Sequence, residues 1–319
     1  MLTTDFDIRA AIPTYAMPVA LLIVIALFGI LAPVFLTTSN FTAIVYQMSI
    51  TGIMAVCMTF VIMTGGIDLS VGPVLATSGL VVFYFLHVAS FPLIPAVILG
   101  ITAGAITGAI SGAIISFFSL PAMIVTLGML SIIRGSALLA GGPDLHLVRN
   151  QPGFDFIGNG YLLGIPFAIW LFVIVSGLLI FIQRKTTFGL QVAAIGDNQR
   201  AAYLSGRKIR LVKTMTYMIC GMGAALAGIV QSSQVHTAAA TYGEFGTELD
   251  VIAAVVLGGA SLLGGKGSVA RTIMGVLFLA VLNNGFNILN VPIDYQLIIK
   301  GGIIVLALSM TEWANTKIG

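Results

Sequence analysis

Charge is what this chain has least of. Only 8% of its 319 residues are Asp, Glu, Lys or Arg, against roughly a quarter in soluble domains. Fourteen basic and eleven acidic side chains cannot clothe a water-soluble body of this size, which excludes a soluble globular domain. A net charge of +3 is too small to argue for a nucleic-acid partner. Cysteine is almost absent: Cys57 and Cys220 both lie inside apolar runs, so there is no disulfide framework and they read as small packing residues. The three histidines, His87, His146 and His236, are scattered, and no His/Cys metal spacing exists, so no metal site is expected. No Ser/His/Asp set and no carboxylate pair at a common depth supports an intramembrane enzyme. No run shows the ten-residue alternation of a membrane β-barrel.

What is abundant is apolar: 58% of the residues are hydrophobic, and there are 37 glycines. A bilayer supplies the apolar solvent that such a chain needs, and each crossing takes about 20 apolar residues. Unpaired backbone groups are too costly in lipid for any span but a helix. The pattern predicts an all-α integral membrane protein, 1–319 as one unit, with about ten helices: 14–35, 43–63, 71–88, 94–117, 122–141, 161–182, 211–232, 247–262, 269–288 and 294–311. Pro13, Pro92, Pro121, Pro166 and Pro292 fall at the proposed helix starts or in linkers, where proline is tolerated. The run Tyr15 to Leu36 follows a single Arg9 and could pass for a secretory signal, but it is long enough to span and is read as a retained first helix. Gly100, Gly104, Gly108 and Gly112 make one smooth helix face, suited to close helix packing either within the chain or between two copies.

Orientation follows from Lys and Arg. With the N-terminus inside, the inner loops hold Arg9, Arg184, Lys185, Arg200, Arg207, Lys208, Arg210, Lys213, Lys266, Arg271 and Lys317. The outer loops hold only Arg149, and most acids fall outside: Asp144, Asp155, Glu244, Glu248, Asp250 and Asp294. Both termini are then expected to be cytoplasmic. Two loops are long, an outer one over 142–160 and an inner one over 183–210. In the inner loop, Asp197 or Asn198 can cap a short helix over 199–204, and Gly206 can end it. That is more order than a tether needs. It suits either a solvated basic loop at lipid head groups or a docking element for a cytoplasmic partner, carried by Gly196, Asn198, Ala201, Ala202, Ser205 and Gly206.

Ionisable and polar residues inside spans are the remaining candidates. Arg134 sits about 18 Å from the inner edge of its helix at 1.5 Å per residue. Lys300 lies in the outer half of the last helix. Outer acids such as Asp250 and Asp294 are the expected partners of both, and the roles open to them are structural pairing or lining an outer vestibule. Gly65 and Gly66 permit a hinge or gate, whereas Asp68 and Ser70 could instead cap the third helix. Asn283 and Asn287 share one helix face with Asn284 adjoining; interhelical hydrogen bonds and contact with the hydroxyls of a solute both suit them. Gly65 to Gly72 is also echoed by Gly258 to Gly265, which would lie at the same inner face.

At this point a specific resemblance emerges. The loop at 194–206, Met63 to Gly72, Ile124 to Gly128 with Arg134-Gly135, Glu248 to Gly259 with Gly264 to Gly267, and Leu282 to Gly285 run in order along about 45–305. Together they resemble the ribose/xylose-type sugar permeases of ATP-binding-cassette importers. The resemblance implies a type II importer-like permease in the prokaryotic cytoplasmic membrane, working as a dimer of identical or related chains. It implies two cytoplasmic ATPase subunits and an external solute-binding protein as partners. The loop at 194–206 would dock into the ATPase. Gly65, Gly66, Asp68, Ser70, Arg134, Asn283, Asn284 and Asn287 are candidates for the path or its gate. No cofactor is expected in this chain. A phosphate-binding loop needs Gly, four residues, then Gly-Lys-Ser/Thr. At the nearest candidate Ala260 takes the place of the leading Gly and Gly267 that of the Ser/Thr, which assigns ATP and Mg2+ to the partner. An ion-coupled secondary transporter is the rival, since glycine-broken helices occur there too.

Overall fold

The computed structural model describes residues 8–244 and 246–316; Lys317 of the inner basic set lies outside them. The chain is built from helices: α1 (Ile8–Leu31), α2 (Thr38–Met63), α3 (Val71–Phe83, prolonged by a π-turn to Val88), α4 (Leu93–Phe118) and α5 (Ala122–Gly141). There follow α6 (Pro152–Asn159), α7 (Phe167–Lys185), α8 (Thr187–Asp197), α9 (Gln199–Leu204), α10 (Ile209–Gln234), α11 (Thr247–Leu257), α12 (Val269–Ile288) and α13 (Ile293–Thr316). Seven helices among the described residues are long and apolar enough to cross a membrane: α2, α3 with its π-turn, α4, α5, α7, α10 and α12. The apolar stretch Met17–Leu31 of α1 is shorter. The protein is a multi-pass, all-α membrane protein.

At the centre stands α2, buried without a break from Gly52 to Met63 and surrounded by α7, α10, α11 and α12. The glycine face of α4 is spent inside the chain. A Cβ on Gly104 would strike the Gly221 carbonyl, one on Gly108 the Tyr217 carbonyl, and one on Gly112 would lie 2.8 Å from the Thr214 Cα. Side chains would hold α4 and α10 apart, and their absence lets the two backbones touch. Hydroxyl pairs lace the spans as well: Thr59 to Thr272 at 2.8 Å, and Ser78 donating to the Ala225 carbonyl at 3.0 Å.

The proline reading holds at Pro92, Pro121, Pro166 and Pro292, each directly before a helix, but α1 begins at Ile8 and runs through Pro13. Residues 161–166, expected to be helical, form a hairpin instead. Strands Tyr161–Leu162 and Ile165–Pro166 pair antiparallel. Leu163 and Gly164 turn with φ of 54° and 77°, the doubly positive turn that suits strand twist. The helix expected over 247–262 stops at Leu257, because Gly259 takes φ +85°. Its eleven residues measure about 16 Å, half a bilayer.

Candidate functional site

On the face that carries the basic loop, three separate stretches meet at glycines. Gly65 leaves the end of α2 with φ +74°, and a Cβ there would lie 3.4 Å from the Leu263 carbonyl. The Gly265 amide donates to the Met63 carbonyl at 2.9 Å. A Cβ on Gly196, near the end of α8, would strike both that carbonyl and the Gly265 amide. The Gly65–Gly72 and Gly258–Gly265 segments therefore touch, and Gly196 is wedged between them. Its place is a joint rather than an exposed docking surface.

Beyond the joint, Asp68 and Ser70 are both about 1% exposed. Asp68 Oδ1 accepts from the Ser70 amide at 2.9 Å and the Ser70 hydroxyl at 2.6 Å. Ser70 holds the N-cap position of α3, yet its side chain caps nothing; it serves Asp68. Burial pushes the Asp68 carboxyl above the usual aspartate range, against the hydrogen bonds from Ser70 that favour its charged form. Gly66 is pressed on the Tyr217 hydroxyl, which is buried without a partner among the described residues.

The inner loop is ordered. The Thr186 hydroxyl caps α8 by accepting from the Gly189 amide at 3.4 Å, and Phe188 stacks on Phe60 at 5.9 Å between centroids. Asn198 caps α9, its Oδ1 accepting from the Ala201 amide at 2.9 Å. Gly206 ends the turn with φ +74°. Of the docking candidates, Ala202 is buried in the core, whereas Asn198, Ala201, Ser205 and Gly206 are exposed. The protruding side chains are Tyr203 and Leu204, 70% and 78% exposed. An exposed Tyr-Leu pair following a capped turn was the signal that composition alone passed over.

Arg134 does not meet the carboxylates expected for it. Its guanidinium donates to the carbonyls of Ala240, Tyr242 (2.7 Å) and Gly243 (3.2 Å). Those carbonyls belong to residues 235–244, which follow the end of α10 and precede the half-length α11. Ala238, Ala239 and Ala240 there are fully buried, and Gly243 packs backbone to backbone against Gly72 at the start of α3. A non-helical segment at this depth must have its carbonyls satisfied by protein, and Arg134 does that. At the far end of the molecule the same segment is tied to the 142–160 loop. His146–Leu147 pairs with Thr237–Ala238, and His236 lies 2.6 Å from Asp155.

Lys300 does find an expected partner, Asp250, at 3.2 Å. The three asparagines of α12 part company. Asn284 exchanges amide hydrogen bonds with Asn40 of α2, both at 3.0 Å. Asn287 accepts from Gln296 of α13 at 3.2 Å. Asn283 turns toward a cleft of about 50 Å³ between α2, α11 and α12, where Gln47, Thr51 and Asp250 also lie. No group of three or more His, Cys, Asp or Glu side chains among the described residues is placed to hold a metal ion.

Comparison with known proteins matches this chain to transport permeases. Residues 40–308 match the family described as branched-chain amino acid transport system / permease component. The chain is 43% identical to the ribose import permease of Bacillus subtilis (strain 168), over 90% of this chain and 89% of the relative. It is 36% identical to the D-allose transport system permease of Escherichia coli (strain K12), over 91% and 89%. It is 32% identical to the L-arabinose ABC transporter permease of Azospirillum brasilense, over 93% and 86%. No solved structure matches. With a family match over most of its length and relatives of this identity along nearly the whole chain, the protein belongs to the permease-component family of branched-chain amino acid type, among whose members are sugar permeases of ATP-binding-cassette importers.

Proposed function

We propose that the chain is the membrane-spanning permease subunit of an ATP-binding-cassette importer that takes up a monosaccharide. The observation that carries this reading is the capped α9 with its protruding Tyr203 and Leu204, set among basic residues and directly following the α8 that ends beside the glycine joint. A surface turn built to present two apolar side chains to water has a partner; here it is a cytoplasmic ATPase subunit that binds ATP and Mg2+. This chain hydrolyses nothing and binds no cofactor itself. Ten crossings follow if α1, α13 and the unit formed by residues 235–244 with α11 are added to the seven long helices. Both termini then lie in the cytoplasm of a prokaryotic cell, and the basic loops face inward, as the positive-inside rule asks. The laced loops at 142–160 and 235–238 face outward and receive the loaded binding protein. A second permease chain and the surrounding lipid complete the assembly. ATP-driven closure moves α9, rocks the bundle through the glycine joint, and exposes the path alternately to each side. Ribose, the cargo in the name of several relatives, is the first solute to try.

The test is uptake of ribose by proteoliposomes holding this chain, its ATPase subunit and its binding protein. Tyr203→Ser with Leu204→Ser strips the protruding pair without touching the buried Ala202. Loss of ATP-dependent uptake and of ATPase co-purification, with the helical content unchanged, supports the reading. Uptake driven by an ion gradient without ATP, or undiminished in the double variant, transfers the protein to the secondary transporters.

A further inference from the structure

The cleft between α2, α11 and α12 stands apart from the glycine joint, the docking turn and the Arg134 clamp. Its depth comes from residue counts. Thr51 lies 13 residues from the start of α2, about 20 Å along a helix of about 39 Å. Gln47 is one turn nearer the outer end, and Asn283 lies 14 residues into α12, about 21 Å along it. All three therefore sit near the middle of a hydrocarbon layer about 30 Å thick. Gln47 is exposed on the single chain, and Asn283 and Thr51 are partly so. A polar side chain turned to lipid at that depth loses its hydrogen bonds to water with no return. This side of the chain is consequently turned away from acyl chains, and water in a path would satisfy its polar groups.

The chemistry of the lining is neutral and unfilled. The buried Asn283 Oδ1 has no hydrogen-bond partner, and among the described residues the side chains of Gln47 and Thr51 have none either. The carboxylate of Asp250 is held through Oδ2 by Lys300 at 3.2 Å, which cancels its charge and leaves Oδ1 for another donor. Val276 and Leu279 supply an apolar wall. Amides, a hydroxyl and one free carboxylate oxygen accept from and donate to adjacent hydroxyl groups, while the wall suits the C–H face of a ring. An ion would meet no net charge here. At about 50 Å³ the cleft is far below the roughly 300 Å³ of an enclosing ligand pocket, so it takes one edge of a solute and holds it weakly.

We propose that Gln47, Thr51, Asn283 and the free oxygen of Asp250 form a mid-membrane contact point for vicinal hydroxyls of a polyhydroxylated solute, a step on the path that is not a storage site. The proposal rests on the importer reading above but is separable from it by experiment. The single variants Thr51→Cys and Asn283→Cys are placed in the complete transporter in proteoliposomes and exposed to a charged, membrane-impermeant thiosulfonate. The wild-type chain is the control, since Cys57 and Cys220 are buried. Both engineered positions are expected to react, and ribose at twice its dissociation constant should slow the reaction about threefold, as simple occupancy requires. Independently, Thr51→Val with Asn283→Leu should lower maximal ribose uptake about tenfold through the lost hydrogen bonds, with ATPase co-purification and the half-saturating concentration of binding protein unchanged. If the wild-type transporter moves no sugar, the importer reading itself fails. If it transports while either cysteine stays unreactive, or reacts without protection by ribose, or if the double variant transports normally, the contact point is overturned and the importer reading stands.

Discussion

Replacing Arg134 by Met is the sharpest perturbation of this fold, because the two side chains have similar bulk and only the donors differ. The guanidinium satisfies three carbonyls of residues 240–243 at half-depth. A hydrogen bond from a charged donor contributes about 1.5–3 kcal/mol, and an orphaned buried acceptor costs about 1–3 kcal/mol. The losses are not additive, since the three carbonyls share one donor group and the site is only half-buried, so water recovers part of them. About 3 kcal/mol is the expected net loss, the lower end of that arithmetic. It should fall on one segment. In detergent, Arg134→Met should melt several degrees lower, by roughly 2–4 °C per kcal/mol for a chain of this size, and chymotrypsin should gain a cut at Tyr242. Arg134→Lys, a compact charge that reaches fewer carbonyls, should fall between the two. If Arg134→Met melts within about 1 °C of wild type and Tyr242 stays protected, the clamp is not what holds the re-entrant segment.

The glycines make a paired prediction. Gly104→Leu forces a side chain into the Gly221 carbonyl and should destroy folded yield in fluorescence-detected size exclusion, whereas Gly128→Ala and Gly177→Ala, each with nothing within 4 Å of the new methyl, should gain up to about 1 kcal/mol of helix propensity. Normal behaviour of Gly104→Leu would mean that α4 and α10 do not touch through their backbones. Asp68 makes a prediction in pH. Burial raises its folded-state pKa, so the folded protein holds that proton more tightly than the unfolded chain does. The resulting stability is complete below the ordinary aspartate value of about 4 and is lost as pH rises through the folded value. Asp68→Asn keeps an acceptor for Ser70 and should flatten that part of the melting-temperature profile; parallel profiles for the two proteins would refute the assignment.

Much of this was legible in the sequence. Near-total absence of charge gave the solvent, proline and glycine gave most helix ends, and Asn198 with Gly206 gave α9 residue by residue. Those signals are local, arising from chemistry within a few residues of where it acts. What escaped is non-local. Arg134 was expected to seek a carboxylate because sequence displays charges, whereas backbone carbonyls gathered by a chain reversal are invisible in it. The start of α11 at Thr247 was legible, but its end was not, because apolar character across 247–262 outweighed the Gly258-Gly259 pair, where Gly259 takes φ +85°. The asparagines of α12 fell on a common face as counted, yet their partners Asn40 and Gln296 lie on other helices. The same holds for Gln183 of α7, which accepts from the Val269 amide at 2.9 Å and donates to the Gly267 carbonyl at 3.1 Å, closing the start of α12 from outside.

The contacts also join the docking turn to the cleft without a gap. Gly196 at the end of α8 presses on Met63 and Gly265; from Met63 the chain runs through Asp68 and Ser70 to Gly72; Gly72 meets Gly243 in the segment held by Arg134; that segment leads into α11, whose Asp250 lines the cleft. Contiguity alone does not establish coupling, which requires an element with two arrangements that both ends bias. The Gly72–Gly243 contact is where such an element can be tested. A Cβ on Gly72 would strike the Gly243 carbonyl and come within 3.2 Å of the Glu248 carboxylate. The wedge sits remote from α9 and leaves the cleft lining intact. Gly72→Ala should therefore leave ATPase binding and hydrolysis near wild type while uptake per ATP falls severalfold. If uptake and hydrolysis fall together, the residue merely supports the fold; if neither changes, movement at α9 reaches the cleft by another route.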